Sequence, residues 1–235
     1  MIYPQINAAI FQPQMISSLI VVGVLCIISV IIGIMADHTK IDEKSNKILT
    51  IFEMLVGLIN NYVKENMGKN WRHYAPYILT LALYLLFANL SGLFGLTPPT
   101  TSWNITIALS LITFVMIQYT GIKSLGIKKY FKSFFSPIFI LFPINLLGEF
   151  TFPLALSLRL FGNILSGAVF SKLIYGLAYR GGIAMQIIVP AIMPVFHAIF
   201  DVFFGVIQVV VFVLLTIVFV SQKMDEDELN YKEEN

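Results

Sequence analysis

Long runs of apolar residues alternate with short polar connections along this chain. The first run covers residues 16–36 and ends at Asp37, and two further runs cover 74–96 and 105–122. About 20 mostly apolar residues are needed for a helix to cross the hydrocarbon core of a bilayer. Each run therefore predicts one transmembrane helix, and the chain is expected to be an all-α integral membrane protein.

Residues 48–68 show a different pattern. Apolar side chains recur there every three or four positions, while Glu53, Asn60 and Lys64 fill other faces. This spacing is typical of an amphipathic helix. We predict that the segment lies in the membrane interface or packs on a partner, and does not span the bilayer.

Two later apolar runs, at 137–178 and 183–221, are too long for simple spans. A helix of about 40 residues is about 60 Å long, roughly twice the hydrocarbon thickness. We favour one tilted helix for each run over a break at Pro143 and Pro153. The short GLAYRGG turn would join them as an antiparallel hairpin. The pattern thus predicts a single membrane domain, 1–235, with about five transmembrane helices, one interfacial helix and an acidic cytoplasmic tail at 222–235.

The composition agrees with a membrane protein. Hydrophobic residues make up 57% of the chain and charged residues only 12%, with a mean hydropathy of +0.83. Soluble domains are about one quarter charged, so a soluble enzyme is excluded. Lysine and arginine cluster in the connections after the first and third spans. By the positive-inside rule, the N-terminus is expected outside and the C-terminus in the cytoplasm.

Ionisable residues at membrane depth are few, and such residues mark functional pathways by default. Arg159 lies in the middle of LALSLRLFGNILSG. Ala155, Gly162 and Ser166 lie four before, three after and seven after it, and such small residues let another helix approach closely. Asn163 could hold the guanidinium by a hydrogen bond. The alternative is an arginine that snorkels or pairs permanently with an acid.

The last run carries a second set of polar residues. His197, Asp201 and Gln208 would share one face of a continuous α-helix. Packed toward Arg159, this face would form a polar track between two apolar helices. The alternative is a permanent salt bridge between Asp201 and Arg159 that pins the hairpin.

Glu149 precedes Arg159 by ten residues, or about 15 Å along a helix. It is a candidate for an access route from the cytoplasmic side, or else an interfacial carboxylate near Lys132. No metal-ligand spacing, glycine-rich phosphate loop or nucleophile elbow is present in the sequence. We therefore predict no bond-making chemistry, no cofactor, no metal and no nucleic-acid partner.

The motif SLRLFGN with its continuation GNILSG, and the later segment IQVVVFVLLTIVFVS, resemble the a subunit of F-type ATP synthases. The likeness extends from about residue 52 to 222. It implies a stator subunit with two half-channels, beside a rotating ring of c subunits that carry ion-binding carboxylates. Arg159 matches the arginine that faces these carboxylates, displaces the bound ion and prevents leakage. Asn163 matches the motif's asparagine, and Gln208 the polar residue opposite the arginine.

The sequence departs from the family pattern at two positions. Ala168 replaces an outer-channel residue that is often acidic or histidine, and Asn145 replaces an inner one that is often acidic. The resemblance then implies that Asp201 carries the outer half-channel, helped by His197 or water. Glu149 is expected to take over the inner role.

The resemblance also implies partners and a location. These are the c-subunit ring, the b-subunit peripheral stalk, the rest of the complex and membrane lipid, in a bacterial plasma membrane. The coupling ion, H⁺ or Na⁺, stays open. One alternative is a self-contained polytopic ion transporter, for which inverted repeats are expected and none is visible. Another is a structural membrane scaffold.

Overall fold

The computed structural model describes residues 12–38, 47–135 and 138–224. Every regular element in these ranges is helical. Five stretches are long and apolar enough to cross a membrane: Pro13–His38, Leu49–Phe94, Trp103–Leu125, Phe139–Arg180 and Gly182–Ser221. The prediction of an all-α membrane protein is confirmed.

The α-helices are α1 (Pro13–His38), α2 (Lys47–Met67), α3 (Trp71–Leu90), α4 (Trp103–Leu125), α5 (Ile127–Ser133), α6 (Phe142–Arg180), α7 (Gly182–His197) and α8 (Phe204–Ser221). Short 3₁₀ turns occupy Gly68–Asn70, Ser91–Phe94, Pro99–Thr101 and Phe139–Leu141. A π-helix, Ala198–Phe203, separates α7 from α8. Helix α2 is the amphipathic segment, and its apolar residues Ile51, Met54 and Leu58 are exposed. Its interfacial position and the tilt of α6 stay predictions.

The helices divide into two compact units. The first unit contains residues 12–19, 85–112 and 151–212 of the described chain. The second unit contains 20–38, 47–84, 113–135, 138–150 and 213–224. Residues 1–11, 39–46 and 136–137, which include the predicted start of the long helix, and most of the acidic tail lie outside the described residues.

In the first unit, one face of α6 is buried and supplies much of the core. Leu156, Ser157 and Leu160 are almost fully buried. The Ser157 hydroxyl lies 3.2 Å from that of Thr106 on α4, so these two buried polar groups satisfy each other. The Phe161 ring meets Trp103 edge to face, with 5.6 Å between centroids. This packing leaves the opposite face of α6 available to other molecules.

The second unit is built around buried apolar residues of α2, α3, α4 and α8, including Val63, Ile78, Ile117 and Ile217. Helix α1 is mostly exposed, as expected of a lipid-facing helix. The Tyr77 hydroxyl on α3 lies 2.8 Å from that of Thr113 on α4. Burial raises the cost of leaving such groups unpaired, so this contact fixes the register of the two helices.

Helix α6 runs without a break for 39 residues. Pro143 is its second residue, where no backbone N–H is needed, and the helix continues through Pro153. It ends at Arg180, two residues beyond the predicted 178. The turn to α7 is therefore shorter than GLAYRGG suggested. Gly182, with φ at 80°, begins the next helix, and only glycine adopts that angle easily.

The prediction of one continuous α-helix after the turn is wrong, because the π-helix Ala198–Phe203 interrupts it. A π-helix bonds each N–H to the carbonyl five residues earlier, so its turn takes about one residue more than an α-turn. One extra residue rotates the side chains of the following helix by about 100° around the helix axis. His197, Asp201 and Gln208 therefore do not share one simple α-helical face.

Candidate functional site

Arg159 lies on the exposed face of α6 in the first unit. Ala155, Gly162 and Ser166 are exposed with it, and Asn163 is partly buried. A Cβ built at Gly162 would meet nothing within 4 Å. Among the described side chains, none forms a hydrogen bond or an ion pair with Arg159. The arginine thus stands on a surface with small neighbours, to which a further helix has access.

The polar residues of the last run lie around the π-helix. His197 ends α7 and is partly buried, and Asp201 lies within the π-helix itself. Gln208, on the second turn of α8, is only 6% exposed. Its Nε2 has no hydrogen-bond partner among the described residues. A buried amide of this kind requires water or another polar group as partner. π-Turns are frequent at functional sites, which agrees with a role for this segment.

A buried polar network that the sequence pattern did not predict lies next to α8. Asn89, at the end of α3, donates from Nδ2 to the Gly205 carbonyl at 3.1 Å. Its Oδ1 accepts a bond from the Thr100 hydroxyl at 3.0 Å. A Cβ on Gly205 would lie 3.3 Å from the Asn89 Cβ, so the glycine permits this close approach. The signal was available in FANLSG, where an asparagine interrupts an apolar run.

Glu149 belongs to a polar cluster in the second unit. Its Oε1 forms an ion pair with the Lys223 ammonium, and its Oε2 accepts a bond from Gln118 Nε2 at 2.8 Å. The Tyr130 hydroxyl donates to Gln118 Oε1. The ion-pair partner of Glu149 among the described residues is therefore Lys223, whereas the alternative from the sequence placed the carboxylate near Lys132. Gln118, Tyr130 and Lys223 were not predicted as site residues.

Asn145 and Tyr130 have well-defined surroundings in the same unit. Asn145 donates from Nδ2 to the Phe134 carbonyl at 2.9 Å, which links α6 to the end of α5. Burial, assisted by the negative charge of Glu149, raises the pKa of Tyr130 to about 12. The phenol therefore keeps its proton and stays a hydrogen-bond donor at neutral pH. Within the described residues, no group of three or more acidic, cysteine or histidine side chains could hold a metal ion.

Comparison with protein families decides the affiliation of the chain. The family model of the ATP synthase A chain matches residues 15–221. The chain belongs to this family. The resemblance drawn from SLRLFGN is thereby confirmed, and Arg159, Asn163 and Gln208 all lie inside the matched region.

Several curated members of the ATP synthase A chain family are similar to this chain. ATP synthase subunit a of Nitrosospira multiformis is 35% identical over 154 residues, which are 65% of this chain and 57% of that protein. The subunit a of a Sulfurihydrogenibium species is 34% identical over 177 residues, covering 73% and 79%. A subunit a of Syntrophotalea carbinolica is 31% identical over 200 residues, covering 83% and 80%. The alignments thus span between about half and four-fifths of these relatives.

Proposed function

We propose that this chain is the ion-conducting stator subunit of the membrane sector of an F-type ATP synthase. In this role it moves H⁺ or Na⁺ through two half-channels to and from the carboxylates of a c-subunit ring. The observation that carries the proposal is the exposed position of Arg159. Within the matched family region, it is exposed on α6 among the small residues Ala155, Gly162 and Ser166.

A guanidinium at membrane depth costs several kcal/mol unless an anion or water compensates it. In the proposed mechanism, the ring carboxylates supply that anion one after another. Attraction to Arg159 favours the ionised carboxylate, which therefore releases its ion as it arrives. An arginine paired permanently within its own chain could not exchange one ring carboxylate for the next. The small side chains of Ala155, Gly162 and Ser166 let the ring helices pass closely.

The two half-channels are assigned to different residues. Asp201 takes the outer route, helped by His197 or water, because Ala168 offers no polar group, while Gln208 and Asn163 are assigned to the surroundings of Arg159. The buried, unpartnered Nε2 of Gln208 supports this assignment, since it calls for water.

The inner route is assigned to Glu149 and Asn145. The support here is that both lie in the second unit with polar partners, Glu149 with Lys223 and Gln118, and Asn145 with the Phe134 carbonyl. The b-subunit peripheral stalk and the rest of the synthase complete the proposed partners. In this proposal ATP chemistry takes place in other subunits, and the chain lies in a bacterial plasma membrane with its N-terminus outside.

Purification through a tag on this chain tests the proposal. We expect a c-subunit ring and ATPase subunits to copurify, and the reconstituted complex to pump ions when given ATP. Measuring hydrolysis and pumping with and without Na⁺ identifies the ion. A chain that transports ions by itself, with no ring attached, would instead establish the self-contained transporter.

A further inference from the structure

The cluster around Glu149 joins four segments of the second unit. Glu149 lies near the start of α6, Gln118 on α4, Tyr130 on α5 and Lys223 just after α8. Each carboxylate oxygen of Glu149 has its own donor, Lys223 on one side and Gln118 on the other. Because the Tyr130 hydroxyl donates to Gln118 Oε1, the amide must present its N–H₂ group to Glu149.

The ion pair between Lys223 and Glu149 is largely shielded from solvent. Their side chains are 19% and 21% exposed. The ammonium also lies 5.6 Å from the ring centroid of Tyr130 and 5.8 Å from that of Phe134. Aromatic faces attract a cation at these distances, so the two rings hold Lys223 in place beside the carboxylate.

Backbone packing is adapted to this cluster. Gly121 lies one turn after Gln118 on α4, and a Cβ there would stand 2.7 Å from Tyr130 Cε2 and 3.5 Å from Lys223 Cβ. Only glycine leaves room for the Tyr130 ring in its observed position, whereas Lys223 Cβ would be at ordinary van der Waals distance. Gly121 thus fixes the place of the aromatic ring that lies over the Lys223 ammonium.

We propose that Lys223 is a positioning residue for ion access from the cytoplasmic side, which holds Glu149 as a permanently compensated anion in one orientation. This inference rests on the proposed function, since it concerns the carboxylate assigned to the inner route. Paired in this way, Glu149 supplies a negative charge of fixed orientation to the inner route. Removing only the lysine leaves a poorly hydrated carboxylate uncompensated, and such a group neutralises itself by protonation.

Two ionisable groups interact with Glu149 among the described residues. Lys223 pairs with its carboxylate directly, and Tyr130, bonded to Gln118, interacts with its charge. Lys123 on α4 lies instead over the Tyr119 ring, 6.0 Å from its centroid. The pKa of Tyr130 is raised from 10.0 to about 12, chiefly by burial. The phenol therefore keeps its proton below about pH 9 whether the chain is folded or unfolded.

The test is the pH profile of ion conduction in the whole complex. Inverted membrane vesicles, stripped of the catalytic sector, expose the cytoplasmic side to the bath. Passive H⁺ flux is measured at low Na⁺ while the bath pH varies from about 5.5 to 8.5. We expect Lys223→Gln to add a titration that changes flux at least about threefold over this range, because a lone carboxylate changes its protonated fraction up to about tenfold per pH unit. Lys223→Arg, which keeps the charge, should retain the wild-type profile.

The double variant Glu149→Gln, Lys223→Gln identifies the titrating group. It lacks the carboxylate, so the added titration should vanish. A wild-type profile in Lys223→Gln would overturn the proposal, and so would a titration that persists in the double variant.

Assembly of the variants is also decisive. If Lys223→Gln fails to accumulate in the complex while the double variant does, the uncompensated carboxylate is the cause and the proposal is supported. Equal loss of both variants means that Lys223 acts only through packing, which contradicts it. ATP-driven pumping by the wild-type complex tests the proposed function separately, because it does not depend on the role of Lys223.

Discussion

Arg159→Ala is expected to abolish ATP-driven ion pumping while the complex still assembles. The arginine lies on the exposed face of α6, so its removal does not touch the buried face formed by Leu156 and Leu160. Its loss deprives each passing ring carboxylate of its counter-charge. A charge at membrane depth costs about 3 kcal/mol or more when uncompensated, which corresponds to a rate loss of about 100-fold or more. Pumping is measured by fluorescence quenching in inverted vesicles.

Arg180→Ala is the matched control for this variant. Arg180 is also exposed and belongs to the same helix, in its last turn. Its removal takes away the same charge without touching the small-residue face, so pumping should stay close to wild type. If Arg159→Ala pumps normally in a complex with the usual subunit content, the stator assignment fails.

Asn89→Leu is expected to destabilise the chain within the complex. Leucine has nearly the same size but can neither donate to the Gly205 carbonyl nor accept from the Thr100 hydroxyl. Asn89 is 2% exposed and Thr100 is fully buried, so no water replaces the lost bonds. Each unsatisfied buried group costs about 1–3 kcal/mol. The midpoint of thermal unfolding of the purified complex, followed through this chain, should therefore fall.

Asn66→Leu provides the comparison. The Asn66 amide on α2 donates to the carbonyl of Tyr62, four residues earlier, at an exposed position. Water can replace that hydrogen bond, so the free energy of unfolding should change by no more than about 0.5 kcal/mol. Equal shifts of the unfolding midpoint for Asn89→Leu and Asn66→Leu would show that the buried network stabilises the chain no more than an exposed hydrogen bond does.

Sequence patterns were sufficient to predict the helices but not every contact of the site. Length and hydropathy identify α1, α3 and α4, because crossing a bilayer requires about 20 apolar residues. The continuity of α6 was predicted as well, and the observed start at Phe142, later than the predicted 137, places Pro143 in the first turn. The π-helix could not, because AIFDVF fits an α-helix equally well and its polar residue, Asp201, does not indicate a wider turn.

The ion-pair partner of Glu149 could not be predicted from the sequence, for a different reason. Lys223 is 74 residues away and stands at the edge of an acidic tail, where it resembles an ordinary solvated charge. Local periodicity says nothing about which distant side chains meet. Gln118, by contrast, could have been noticed as a lone amide within an apolar span.

Cysteine cross-linking tests the central claim most directly, namely that the face of Arg159 lies against the c ring. Cys26, which is exposed, is first replaced by serine. Single cysteines are then introduced as Ser166→Cys on this face and as Leu165→Cys beside it. Both positions are exposed in the isolated chain, and they point about 100° apart around α6.

Each variant is combined with a cysteine next to the ion-binding carboxylate of the c subunit, and native membranes are oxidised. We expect a disulfide between this chain and the c subunit for Ser166→Cys, and little or none for Leu165→Cys. Cross-linking through Leu165→Cys with none through Ser166→Cys would contradict it.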